Sequence, residues 1–99
     1  MDKLTIFYLE HCPYCRNAKM AVKELYAENP TLQKINIEWV EERQDPERAE
    51  QYDYYYVPSV FLGSEKLYEC SPADDYEVIK QRIWQAMDKA IHGHKVEPN

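Results

Sequence analysis

Hydrophobic positions in the first part of the chain follow a strand spacing, then a helix spacing, then a strand spacing. In residues 4–9 they fall on both faces of a β-rich run, which predicts a buried central strand. A helix is predicted next from apolar residues three and four apart: Ala18, Ala21, Val22 and Leu25. Pro30 biases the residue before it away from helical geometry and should end this helix. Residues 34–42 alternate between apolar and polar, which predicts a second strand.

The second part of the chain predicts a short helix, a hairpin and a final helix. Asp45 is a good N-cap for a helix that starts at Pro46. Residues 57–62 and 66–70 are β-rich runs on either side of a turn that contains Gly63, which predicts a hairpin.

The last helix shows an N-terminal signal and an apolar stripe. Ser71 is expected to cap it, with Pro72 in the first position and Asp74 and Asp75 in the first turn, where the helix dipole favours acids. The stripe consists of Ile79, Ile83, Met87, Ala90 and Ile91. Gly93 is the expected stop.

The predicted order of elements is therefore β-α-β-α-β-β-α, without a repeat or a linker. The strand–helix–strand crossover makes the first two strands parallel, and the hairpin adds antiparallel strands. We predict an α/β fold with a four-stranded mixed sheet flanked by three helices. Residues 1–92 form one predicted domain, and residues 93–99 form a flexible tail.

Charge and hydropathy narrow the function classes. The net charge is 12 − 18 = −6, which argues against nucleic acid and against an anionic membrane surface as partners. Residues 4–9 are too short for a signal peptide, and no apolar stretch approaches the roughly 20 residues of a membrane span. We expect a cytosolic monomer. In that compartment a C-x-x-C pair indicates redox or metal chemistry rather than a structural disulfide.

The segment LEHCPYC places two cysteines at the start of the first predicted helix. Pro13 prefers the first helical position, which makes Cys12 the N-cap. The amides of the first turn, with His11 and Arg16 nearby, are expected to stabilise a Cys12 thiolate. Cys15 lies one turn further on the same face and can close a disulfide with Cys12. This arrangement predicts thiol–disulfide exchange, with Cys12 as nucleophile and Cys15 as the resolving thiol.

The same cysteine pair also allows a metal site, an inert core pair or a non-catalytic interaction domain. A zinc-binding module would need further ligands, from Cys70 or from His92 and His94, and the chain has no second C-x-x-C. Two inert core cysteines would explain neither Pro13 between them nor the exposed helix start. A non-catalytic interaction domain is distinguished by thiol alkylation against pH, since a reactive Cys12 should be alkylated well below the pH that a free cysteine needs. Thiol–disulfide exchange requires no bound metal or organic cofactor.

Two motifs resemble those of the glutaredoxins. CPYC at 12–15 matches their dithiol tetrad, and VPSVFL at 57–62 is similar to their VP-x-[VI]-F-[IL] signature. The resemblance covers roughly residues 2–91 and implies the thioredoxin fold for a glutaredoxin-like domain at 1–92. It also implies a cis Val57–Pro58 bond opposite Cys12, with Val57 presenting its backbone to the substrate and Tyr14 exposed as a contact. Protein disulfides or glutathionylated proteins are the substrates implied.

The sequence also departs from that family. Leu9 stands where glutaredoxins usually carry Lys, and Tyr68 and Glu69 stand in place of a Gly-Gly pair. A lost cation and an added anion should weaken binding of anionic glutathione, although Ser71 still offers a hydroxyl and nearby helix amides. Glutathione is thus a candidate cosubstrate, and a flavoprotein reductase of the thioredoxin-reductase type is the alternative electron source. The chain also lacks the CGPC tetrad of typical thioredoxins.

Several aromatic and polar residues outside these motifs allow two interpretations. The tyrosine-rich stretch at 52–58 could contact substrate beside the cysteines or pack its rings on the sheet, with Tyr56 the best candidate for contact. Trp39 and Trp84 are expected in the core, and Cys70 is expected to pack as a small apolar residue. Acids such as Glu41 are expected only to solubilise the surface.

Overall fold

The computed structural model describes residues 3–92. The first strand, β1 (Leu4–Tyr8), and the first helix, α1 (Pro13–Glu28), lie where the sequence predicts them. A short 3₁₀ helix (Pro30–Lys34) follows, because the Asn29 side chain accepts the Thr31 N–H and redirects the chain. The second strand, β2 (Ile37–Glu41), is therefore shorter than the alternating segment suggested.

The short helix and the hairpin agree with their predicted signals. Helix α2 (Pro46–Glu50) is capped by Asp45, whose carboxylate accepts the Arg48 N–H at 3.3 Å. Strands β3 (Ser59–Leu62) and β4 (Glu65–Glu69) form the hairpin.

All four strands form one mixed sheet in the order β2-β1-β3-β4. Strands β1 and β2 are parallel, and the other two pairs are antiparallel, which confirms the predicted topology. Phe7 faces Ser59, and Ser59 faces Glu69. The segments that follow β1, precede β3 and follow β4 therefore meet at one end of the sheet. This end carries both cysteines of the C-x-x-C and Pro58.

Each face of the sheet has its own core. On one face, α1 and α3 pack on Leu4, Ile6, Val60 and Leu62. On the other face, Phe7, Val40 and Phe61 are covered by the side chains of Ala49, Tyr52, Tyr54 and Val57. The segment that leads to Pro58 is thus anchored in the second core.

The last helix, α3 (Tyr76–His92), begins later than predicted. The Asp75 side chain caps the start of this helix by accepting the Val78 N–H at 3.0 Å, so the prediction of a Ser71 cap was wrong. Residues 71–74 instead form a turn in which the Asp74 N–H donates to the Ser71 carbonyl. The Asp74 carboxylate accepts the Tyr68 hydroxyl at 2.6 Å and the Ser71 N–H at 3.0 Å, which holds this turn against β4.

Two further expectations concern the last helix and the chain end. Trp84 is 43% exposed, so its prediction as a core residue was wrong. The stop at Gly93, His94 and the tail at 93–99 lie outside the described residues. Within residues 3–92, none of the helices is long and apolar enough to span a bilayer.

Candidate functional site

Cys12 occupies the N-cap position of α1, as predicted. Its backbone is extended (φ −92°, ψ 122°), Pro13 is the first helical residue, and the Cys12 carbonyl accepts the Arg16 N–H at 2.9 Å. The Cys12 side chain is partly exposed, whereas Cys15, one turn further, is only 2% exposed. The pair thus consists of one thiol at the surface and one below it.

One detail of the predicted cap is wrong. The Cys12 side chain makes no hydrogen bond with the amides of the first turn of α1. Sulfur is a weak acceptor, so the capping bond that a serine or aspartate oxygen would make is not formed here. The sulfur keeps its position beside the positive end of the helix dipole.

The environment of Cys15 favours the neutral thiol. Burial raises the pKa of Cys15 well above its ordinary value, and the neighbouring Cys12 thiol raises it further. The Leu9 N–H, 3.4 Å from the Cys15 Sγ, opposes this effect. Cys12 is therefore the more accessible thiol of the pair, and Cys15 is the buried one.

The Val57–Pro58 peptide bond is cis, as the resemblance implied. The Pro58 ring is fully buried, and its carbonyl accepts the Cys70 N–H at 3.0 Å. Within residues 3–92, the Val57 N–H and C=O have no hydrogen-bond partner. Val57 therefore offers a free stretch of backbone at the end of the sheet that carries Cys12.

Tyr14 and Ser71 are engaged within the protein. Tyr14 is half-buried and its hydroxyl donates to the Pro72 carbonyl at 2.9 Å, so the expectation that it lies exposed beside Cys12 was wrong. The Ser71 N–H donates to Asp74, and the Ser71 hydroxyl accepts the Ala73 N–H at 3.2 Å. Groups that the resemblance assigned to glutathione therefore hold the turn before α3.

Glu69 also has internal partners. Its Oε2 accepts the N–H groups of Tyr55 and Tyr56, each at 2.7 Å, and its Oε1 pairs with Lys66 at 2.8 Å. The negative charge of Glu69 is therefore balanced by Lys66, and its hydrogen bonds hold the loop before Pro58 in place. Each of the two interpretations of the tyrosine-rich stretch fits some of its rings. Tyr52 and Tyr54 pack on Phe7 of the sheet, whereas Tyr55 and Tyr56 are exposed and free to contact a substrate.

His11 and Arg16 are both exposed beside the cysteines. They line a groove of about 390 Å³ that also includes Cys12 and Cys15. His11 has a φ of 65°, in the left-handed region that a non-glycine residue rarely adopts. The loop between β1 and α1 therefore needs contacts from another part of the chain to keep this conformation.

Glu41 holds this loop, a role that the sequence did not predict. Its side chain is only 3% exposed, and its Oε2 accepts the Glu10 N–H at 2.9 Å. Its Oε1 accepts the N–H groups of Arg43 and Gln44 at 2.6 and 3.2 Å. The Glu10 hydrogen bond lowers the pKa of Glu41, and the Arg43 and Gln44 amides add to this. The available signal was an acid at a strand end before a polar turn, where carboxylates accept nearby amides.

We expect Glu41→Gln to lower the urea midpoint of unfolding at pH 7. Because the pKa of Glu41 is lowered by folding, its contribution is fully present above the unfolded value of about 4.3 and is lost as the pH falls through the folded value. The difference between variant and wild type should therefore shrink with acidification. The exposed Glu50→Gln variant is the control and should show little change. A difference that stays constant from neutral to acid pH would contradict this role of the Glu41 charge.

The zinc alternative lacks a ligand set in the described part of the chain. Residues 3–92 contain no group of three or more histidine, cysteine, aspartate or glutamate side chains placed to hold a metal ion. Cys70 is buried directly after β4, as expected of a small apolar residue, and its Sγ lies 3.4 Å from the Ser71 carbonyl oxygen.

Comparisons with known proteins point to one architecture. No model of a known protein family matches the chain. A thioredoxin of Methanocaldococcus jannaschii is 26% identical over 83 residues, which cover 82% of this chain and 95% of that protein. The crystal structure of the germline-specific thioredoxin Deadhead of Drosophila melanogaster superposes with a TM-score of 0.59 at 22% identity, covering 89% of this chain and 81% of that one.

The chain has the thioredoxin fold. This confirms the fold that the glutaredoxin resemblance implied, but both relatives are thioredoxins, so the comparisons do not separate the two types. The chain therefore combines a thioredoxin-like fold with two neighbouring cysteines at the start of α1.

Proposed function

We propose that this protein is a thiol–disulfide oxidoreductase that reduces protein disulfides through Cys12 and Cys15. The observation that carries the proposal is the partly exposed Cys12 at the N-cap of α1 with the buried Cys15 one turn below. The thioredoxin fold places this pair at the same end of the sheet as Val57 and Pro58.

The reaction follows from the different exposure of the two sulfurs. The Cys12 thiolate attacks one sulfur of the substrate disulfide, which forms a mixed disulfide and releases the first substrate thiol. The Cys15 sulfur then loses its proton and attacks Cys12, which closes the Cys12–Cys15 disulfide and releases the second thiol. Two electrons pass from the protein to the substrate, and an external reductant must return them.

Val57 supports a polypeptide substrate. Its unpaired N–H and C=O can hydrogen bond with an extended segment of a partner, in the manner of a strand added to a sheet. The exposed ring of Tyr56 beside it adds apolar surface for the same segment.

The source of the electrons is proposed to be a flavoprotein reductase rather than glutathione. The resemblance placed glutathione at the turn at 71–74. In this turn the Ser71 N–H already donates to the Asp74 carboxylate, and the Pro72 carbonyl accepts the Tyr14 hydroxyl. Leu9 supplies no cation where glutaredoxins have one. Reduction by glutathione is the second candidate, favoured by the CPYC tetrad.

A test compares the two reductants on two substrates. Reduction of a protein disulfide and of a mixed glutathione disulfide is followed with glutathione, and separately with NADPH and a thioredoxin reductase. We expect turnover of the protein disulfide with the flavoprotein system. Turnover of the mixed disulfide with glutathione alone would favour the second candidate, and no turnover with either reductant would contradict the oxidoreductase proposal.

A further inference from the structure

A basic groove runs along α1 from the cysteine pair. The depression that includes both cysteines is also lined by Arg16, Lys19 and Lys23, and a second depression of about 350 Å³ shares Lys19 and Lys23 with it. Together the two depressions, which we call the groove, extend along α1 from Cys12 to Tyr26. At 1.5 Å per helical residue this is about 21 Å, the length of roughly six extended residues.

The three cations of the groove share one side of the helix. They lie three and four residues apart, which places them on a common face. Within residues 3–92 none of them forms an ion pair. Six other cations do pair with carboxylates, whereas Lys34 and Arg82 form no ion pair within the described residues; the paired six are Lys3, Arg43, Arg48, Lys66, Lys80 and Lys89. Among the described residues, Glu10 is the one acid that lines the groove with them.

Apolar surface lies beside the charges. Met20 is 53% exposed and lines the depression together with Tyr8. The Lys19 Nζ lies 3.9 Å from the centre of the Tyr8 ring and 5.4 Å from that of Trp39, so it makes cation–π contacts with both rings. This surface therefore combines positive charge with apolar contact area, although the net charge of the protein is −6.

We propose that this groove docks an acidic, extended segment of the protein whose disulfide is reduced. The inference rests on the proposed function and specifies its substrate class: a disulfide flanked by Asp or Glu residues and an apolar side chain. Unpaired cations beside a reactive group steer oppositely charged partners and raise the association rate, most strongly at low salt.

Lys23→Glu tests the groove at a position away from the reacting sulfurs. The probes are two peptides that carry the same cysteine as a mixed disulfide with a coloured thiol, flanked either by acids or by lysines. At about 0.02 M salt we expect wild type to release the thiol from the acidic peptide about tenfold faster, and the preference to fade at about 0.5 M. Lys23→Glu should reduce the preference about three- to tenfold.

Lys34→Glu is the matched control, since Lys34 is also exposed and forms no ion pair within residues 3–92. It lies on the 3₁₀ helix after α1, at the end away from Cys12, and makes the same change in net charge. We expect it to keep the preference within about twofold, because Lys34 does not line the groove and acts on a bound segment only from a greater distance. Equal losses in both variants would mean that net charge, not the groove, is responsible, and would overturn the proposal.

Two further outcomes separate the groove from the chemistry. If wild type reduces both peptides equally at both salt levels, the docking proposal falls and the oxidoreductase stands. If it reduces neither, the oxidoreductase falls, and binding of a cysteine-free acidic peptide, followed by fluorescence anisotropy, decides the groove: weakening by Lys23→Glu supports it, and no binding overturns it. An equal effect of Lys23→Glu on glutathione disulfide would assign the groove to small anions and overturn the proposal.

Discussion

Cys12→Ser is expected to lose disulfide reductase activity by roughly 10³-fold or more. A serine hydroxyl stays protonated at neutral pH and cannot form the mixed disulfide on which the reaction depends. The measurement is the rate of reduction of a protein disulfide by stoichiometric amounts of the reduced protein, which removes any dependence on the electron donor. Retention of more than about a tenth of the wild-type rate would show that Cys12 is not the nucleophile.

Cys15→Ser separates the two steps of the same reaction. Cys12 remains free to attack, but the resolving sulfur is gone, so the mixed disulfide with the substrate should accumulate. Mass spectrometry under non-reducing conditions would then find one substrate chain on each protein molecule. A Cys15→Ser variant that turns over at the wild-type rate would contradict the buried thiol's role.

Cys70→Ala controls for the loss of a cysteine as such. Cys70 is 2% exposed, follows β4, and lies near the pair without being part of the proposed reaction. Burial raises the pKa of its thiol, which keeps it neutral. We expect Cys70→Ala to retain activity within about twofold, because small buried cysteines act mainly as apolar residues.

The elements that the sequence predicted well are those whose signals are local. Asp45 before Pro46 predicted the start of α2, and Cys12 before Pro13 predicted the start of α1, because capping geometry depends on neighbouring residues alone. The hairpin followed from two β-rich runs around Gly63, which has a φ of 59°. The parallel pairing of β1 and β2 followed from the strand–helix–strand crossover between them.

The start of α3 was missed because its signals compete with contacts from distant residues. Ser71 and Pro72 have the local features of a helix start. Asp74, however, bonds the Tyr68 hydroxyl from β4, and the Pro72 carbonyl accepts the Tyr14 hydroxyl from α1. These partners are 6 and 58 residues away in sequence, so no local pattern contains them.

The candidate site was predictable as a motif but not in its supporting contacts. The spacing of Cys12 and Cys15 indicated the two residues to which we assign the proposed reaction. The sequence did not indicate that Glu41 is buried and holds the loop before Cys12, or that Glu69 holds the loop before Pro58. In both cases an acidic residue of ordinary surface type accepts backbone N–H groups from another part of the chain, which depends on tertiary structure alone.

The segment before Pro58 depends on the second core, which makes Phe7 the most sensitive position in that core. Phe7 is fully buried, with its ring centre 4.7 Å from that of Tyr52, 5.0 Å from that of Tyr54 and 5.8 Å from that of Phe61. Removing such a ring typically costs about 3–5 kcal/mol, because the apolar contacts are lost and a cavity remains. For a small domain whose total stability is about 5–15 kcal/mol, this is a large fraction.

We therefore expect Phe7→Ala to lower the free energy of unfolding by about 3–5 kcal/mol in urea titrations of the reduced protein. Tyr55→Ala is the control: the ring is 90% exposed, so its loss should change stability by no more than about 0.5 kcal/mol. Because Tyr52 and Tyr54 would lose the ring on which they pack, amide hydrogen exchange should accelerate from residue 52 to residue 57 before it does in α1. A loss below about 1 kcal/mol, or exchange that accelerates equally throughout the sheet, would mean that the second core does not hold the backbone at Val57.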